Sequence, residues 1–244
     1  MMKRLVFTLL VAGVLSMSAK AETFNVGDFF SKSDAFFKKY VSKGLVDYKS
    51  IKGNLGEIES LYTTINEANV AELTDQERKA FYINAYNLIV IYQVSKYYPL
   101  KSAMDQSGFF DKVKHNVAGT PMTLNSLEIK KLIMVYKDPR IHFVLACAAV
   151  SCPPLANFAY VPGKIDQQLD DRTRMALNNS SWLIIKAEQK KVLLSKIFDW
   201  YKKDFTMNDA HSVIEFINKY RDKPIPSAYE IGYYEYDWSL NERG

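Results

Sequence analysis

The chain has 244 residues with 32 basic and 27 acidic side chains, 48% hydrophobic and 14% aromatic content, two cysteines and three histidines. That much apolar side chain argues against a disordered chain and for a sizeable core. Charges of both signs are interspersed, as in Glu188-Gln189-Lys190-Lys191, which argues against the clustered basic face that a nucleic-acid partner needs.

Lys3 and Arg4 precede an apolar run from Leu5 to Met17, and Ala19-Lys20-Ala21 has the small-x-small form of a signal-peptidase site. A signal peptide is expected over residues 1–21, cut after Ala21, leaving 22–244 as one globular domain in the periplasm or outside the cell. An apolar core of about 13 residues falls short of the roughly 20 that cross a bilayer, so no integral membrane segment is expected in the mature form. Loss of Lys3, Arg4 and Lys20 leaves 29 basic against 27 acidic side chains, lowering the net charge from +5 to +2.

Phe29, Phe30, Phe36, Phe37 and Tyr40 make one apolar face of a helix predicted over Asp28 to Val41. Leu45 to Tyr48 reads as extended, and a helix follows from about Gly56 to Ala68. Thr74-Asp75-Gln76-Glu77 has the capping-box pattern and predicts a long helix to about Tyr97, ended by Pro99. Its middle, Phe81 to Tyr92, is apolar on nearly every face, which predicts a central buried helix.

Lys112 to Leu124 predicts a hairpin across Ala118-Gly119-Thr120, and Asn125 is the expected cap of another helix with Glu128 in its first turn. From Arg140 to Ala149 the run is continuously apolar, and periodicity does not decide between strand and helix. Ile165 to Leu177 reads as an amphipathic helix. A second hairpin is predicted from Trp182 to Ser195, then short helices over Lys196 to Lys203 and Asn208 to Tyr220, and a Tyr-rich extended tail. The sum is a single α+β domain, mostly helical, with small antiparallel hairpins around a buried central helix.

Cys147 and Cys152 are separated by four intervening residues in a chain expected to meet an oxidising space, so a local disulfide is one expectation. It requires the chain to bend between them, and Pro153 and Pro154 force extended geometry just after. The alternative makes Cys152 a nucleophile activated by His142, with Glu128, Asn84 or Asn87 orienting the imidazole. Asn84 and Asn87 lie inside an apolar helix and need polar partners, either a site or buried backbone. The remaining histidines, His115 and His211, have no ligand spacing, so no metal is expected. No glycine-rich phosphate loop appears, and no cofactor is expected.

Four segments in this order resemble the bacterial, secreted branch of domain-of-unknown-function family 547. They are Phe81 to Asn87, Thr123 to Glu128, Asp138 to Leu155, and Ile197-Phe198-Asp199-Trp200-Tyr201 with Asp204-Phe205. Tyr236-Asp237-Trp238-Ser239-Leu240-Asn241 is similar to the same branch. The resemblance implies one focus formed by Asn87, Glu128, Arg140, His142, Cys152 and Pro153, without implying an activity. Two functions stay open. One is a thiol-dependent hydrolase or acyltransferase acting on peptide or cell-envelope substrates, with Cys152, His142, Glu128 and Asn87 as catalytic residues. The other is a non-catalytic envelope binding module with a structural Cys147–Cys152 bridge.

Overall fold

Helix α1 (Val26–Tyr40) starts at Asn25, whose side chain accepts a hydrogen bond from Asp28 N, and it buries Phe29, Phe30, Phe36, Phe37 and Tyr40. The computed structural model describes residues 24–207 and 210–244, so the expected signal peptide lies outside the described residues. Strands β1 (Val41–Ser42) and β2 (Leu45–Val46) pair antiparallel around Lys43 and Gly44, both at positive φ. A Cβ on Gly44 would stand 2.6 Å from Pro154 Cβ, so this turn packs directly on the Cys-Pro-Pro segment.

Helices α2 (Tyr48–Gly53) and α3 (Leu55–Glu67) follow, and then α4 (Asp75–Tyr97). The capping box forms as its sequence predicts: Thr74 N donates to Glu77 Oε2 and Glu77 N to Thr74 Oγ1. Every residue of α4 from Ala80 to Ile91 is buried, making it the central helix of the fold. Strands β3 (His115–Val117) and β4 (Thr120–Met122) form the expected hairpin, with Ala118 and Gly119 at positive φ.

Thr123, not Asn125, caps α5 (Leu124–Leu127): its Oγ1 accepts from Ser126 N at 3.1 Å, and Asn125 falls inside the helix. The wider π-helical turn Glu128–Ile133 continues into α6 (Met134–Tyr136), which ends at left-handed Lys137. The apolar run that periodicity left undecided is neither strand nor α-helix. It is a 3-10 turn, Pro139–Phe143, followed by irregular chain that touches the C-terminal segment through an isolated Ala149–Leu240 bridge.

Helix α7 (Ile165–Leu177) has its expected bounds. Arg140 ties the 3-10 turn to it, donating to Asp138 at 2.9 Å, Asp170 at 2.7 Å and Asp166 at 3.1 Å. Strands β5 (Ile184–Lys186) and β6 (Lys191–Leu194) make the second hairpin, and short helices α8 (Ile197–Trp200), α9 (Lys202–Phe205) and α10 (Val213–Asn218) follow. The tail then adds what the sequence did not predict, a strand β7 (Glu230–Tyr233) parallel to β6. Beyond it the chain laces across the molecule. Val150 N donates to Ser239 O, Leu240 N to Lys101 O, Asn241 N to Ala148 O and Val46 N to Asn241 O.

Two apolar clusters result. One is built on α1 to α4, the other on β5, β6 and α8 to α10, and residues 141–152 run along the seam between them. Ile141, Val144, Leu145 and Ala146 enter the first cluster, whereas Phe143, Ala149 and Cys152 enter the second. Among the described residues no helix is long and apolar enough to cross a membrane.

On β3, His115 shares a hydrogen bond with Gln93 Oε1 through Nε2 at 2.7 Å and with the Tyr62 hydroxyl through Nδ1 at 3.0 Å. Burial lowers its pKa to about 4 from 6.5. Between those values the unfolded chain takes up a proton that the folded chain refuses, so stability is full above pH 6.5 and falls as the pH drops toward 4. The loss amounts to roughly 3 kcal/mol. Denaturant unfolding from pH 7 to pH 4 is expected to show this slope, and His115→Gln to flatten it while lowering stability at neutral pH.

Candidate functional site

At the seam between the two clusters lies a cavity of about 310 Å³. The 3-10 turn brings His142 to it, the π turn brings Glu128, the loop after the 3-10 turn brings Cys147 and Cys152, and α8 with Tyr201 brings the opposite wall. The C-terminal segment closes it with Tyr236 and Trp238.

His142 is the hub. Its Nε2 stands 2.9 Å from Asp204 Oδ2, and its Nδ1 faces Glu128 Oε1 at 3.9 Å, beyond hydrogen-bonding reach. The ring lies against Tyr201 with centroids 4.2 Å apart, and against Phe205 at 5.3 Å. Asp204 therefore fixes the tautomer and leaves Nδ1 on the side of Glu128. Sequence reasoning included Asp204 in the resemblance but gave the orienting role to Glu128, Asn84 or Asn87. The signal available was an acid one turn beyond an aromatic pair, in the Trp200-Tyr201-Lys202-Lys203-Asp204 stretch.

Glu128 is buried, and burial raises its carboxyl pKa, while His142 and hydrogen bonds with Tyr201 and Tyr86 pull it back down. Burial also raises the phenols of Tyr86, Tyr201 and Tyr236, which keeps all three protonated and able to donate.

Cys147 and Cys152 are joined in a disulfide, with Cα atoms 6.2 Å apart. The bend that permits this comes from Ala148, whose φ is +60°, a left-handed position that costs a non-glycine residue about 1 kcal/mol. Polar hydrogens converge on the pair: Cys147 N donates to Cys152 Sγ at 2.9 Å, and the Tyr236 hydroxyl lies 3.1 Å from Cys147 Sγ and 3.2 Å from Cys152 Sγ.

Asn87 does not orient the imidazole. Its Nδ2 donates to Val144 O at 2.8 Å and its Oδ1 accepts from Ala146 N at 2.9 Å. Asn84 does the same for Tyr160, accepting from its N at 2.9 Å and donating to its O at 2.7 Å. Both amides hold irregular backbone, and Asn87 holds the stretch between His142 and Cys147. Of the four residues proposed as catalytic from sequence, Cys152, His142 and Glu128 meet on one cavity and Asn87 supports it from behind. Among the described residues no group of three or more His, Cys, Asp or Glu side chains is arranged to hold a metal ion.

Residues 70–175 match the family model described as Protein of unknown function, DUF547. That stretch is a DUF547 domain, and it covers less than half of the chain. The DUF547 stretch contributes Asn87, Glu128, His142, Cys147 and Cys152, whereas Asp204 and the walls made by Trp200, Tyr201, Tyr236 and Trp238 come from beyond it. Neither the curated proteins nor the solved structures gave a match.

Replacing Asn87 by Ala strands a buried carbonyl and a buried N–H, each costing about 1–3 kcal/mol. Asn87→Ala is expected to lower unfolding free energy by about 2–4 kcal/mol in denaturant titrations. Were Asn87 instead to act on the chemistry alone, stability would stay within about 0.5 kcal/mol of the parent.

Proposed function

We propose that this protein is an exported thiol-dependent hydrolase or acyltransferase whose bridged form is a resting state. The observation that carries it is one cavity sharing Cys152, Glu128 and a His142 ring anchored through Nε2 by Asp204. A nucleophile, a base and an orienting acid are the parts that acyl transfer through a thiol requires. Export is supported by the Lys3-Arg4 start, the apolar run and the Ala19-Lys20-Ala21 site.

In this scheme a dithiol reductant takes the bridge to two thiols and becomes a disulfide itself. His142 then takes the proton of Cys152, and the thiolate attacks the carbonyl carbon of an ester or amide. The tetrahedral intermediate expels its alcohol or amine, which receives the proton from His142, leaving a thioester on Cys152. Water or a second nucleophile attacks that thioester, giving its proton to His142 and returning Cys152 to the thiol. The donors at Cys152 Sγ, Cys147 N–H and the Tyr236 hydroxyl, stabilise negative charge on the sulfur.

The bridge itself favours a second reading, a binding cleft with a structural disulfide and no nucleophile. An electrophilic acyl probe read by mass spectrometry separates the two. A thiol hydrolase is expected to be labelled at Cys152 after reduction, and without reductant in Cys147→Ala. Labelling should slow by about 100-fold or more in His142→Ala. Equal labelling of the parent and His142→Ala, or none at Cys152 in Cys147→Ala, would leave only the binding cleft.

A further inference from the structure

Asp204 and Glu128 face the one imidazole of His142 from its two sides. Glu128 is the one acid among the described residues that line the cavity, so the acidic charge the cavity itself carries is that of Glu128. Among the described residues that line the cavity there is no lysine or arginine to offset it. An acidic side chain with no lysine or arginine beside it favours a cationic ligand over an anionic one.

The walls fit the same ligand. Trp200, Tyr236 and Trp238 form a continuous ring surface, with centroids 4.9 Å apart for Trp200 and Tyr236, 4.8 Å for Tyr236 and Trp238, and 6.0 Å for Trp200 and Trp238. Trp200 is 49% exposed, so one aromatic face stands at the mouth with no side chain fully covering it. Tyr86 and Tyr201 add two more rings deeper in, beside Glu128. Aromatic faces attract cations through their ring quadrupoles, and rings beside a carboxylate are the usual surroundings of bound organic ammonium groups. A cavity of about 310 Å³ is at the small end of ligand pockets.

We propose that the cleft recognises an organic ammonium group, its charge held between the Trp200–Tyr236–Trp238 rings and the Glu128–His142–Asp204 group. This names the substrate class of the site and rests on the acyl-transfer scheme only in its consequence: the ammonium-bearing molecule is the amine that leaves on acylation or attacks the thioester. An attacking ammonium first gives one proton to the His142 imidazole; the free amine then adds to the thioester carbonyl, the C–S bond breaks, and the second N–H proton passes to the departing Cys152 thiolate.

Binding is tested on the bridged protein and on Cys152→Ser, where no thiol chemistry interferes, with n-butylammonium, n-pentanol and butyrate as probes followed by NMR titration. The expected result is saturable binding of n-butylammonium at least about tenfold tighter than n-pentanol, with no binding of butyrate. Glu128→Gln and Trp200→Leu should each weaken it about tenfold, with Trp200→Phe recovering part of the loss. Thermal melts confirm that the variants are folded; Trp200 is half exposed and gives the safer one. Equal affinity for alcohol and ammonium, or binding indifferent to Trp200→Leu and Glu128→Gln, overturns the proposal. Acyl labelling of Cys152 without ammonium binding sinks this inference alone. Ammonium binding without labelling keeps it and removes the thiol scheme.

Discussion

Two carboxamides in a helix without an exposed face hold this structure together. Between Ala80 and Ile91, α4 is surrounded by other parts of the chain, so Asn84 and Asn87 have no recourse to solvent. Each meets one N–H and one C=O of irregular backbone, Tyr160 for Asn84 and the Val144–Ala146 pair for Asn87. A side-chain amide is a peptide group in miniature, so it can complete backbone that no helix or sheet completes. The segment carrying His142 and the cysteines is thereby free to be irregular and still be fixed.

That irregularity lets the segment serve two cores, and it also explains where sequence reasoning stopped. The central helix was legible because Thr74 and Glu77 mark its start, Pro99 marks its end and its apolar run leaves no wet face. Helix α7 and the two hairpins were legible from local period and turn residues. The stretch from Arg140 to Ala149 was not, because its apolar residues divide between two clusters and answer to neither a period of 3.6 nor of 2. Strand β7 was hidden for a different reason. Parallel pairing with β6 joins residues nearly forty positions apart, as for Lys191 and Glu230, and no local signal encodes that partner. The helix cap moved from Asn125 to Thr123 because both residue types can cap and the hairpin's end, at Met122, decides which one does.

The site was partly readable for the same reasons. Cys152, His142 and Glu128 carry chemistry in their residue types, and the seam between the cores collects them. Asp204 lies 62 positions from His142 and reaches it in a short helix whose Phe205 is packed into the second cluster, a placement no local pattern encodes. The tyrosines looked like general aromatic content. In place, burial keeps them as hydrogen-bond donors to a carboxyl and a sulfur pair, a role that depends on position and not on abundance.

The wall made by Tyr236 and Trp238 has a consequence in time. Cys152 precedes Tyr236 by 84 positions, so during synthesis the two sulfurs emerge bare, with no phenol above them. In the folded chain the C-terminal segment lies over them, anchored at Val46, Lys101, Ala148 and Val150. The molecule is in this sense closed from its C-terminal side.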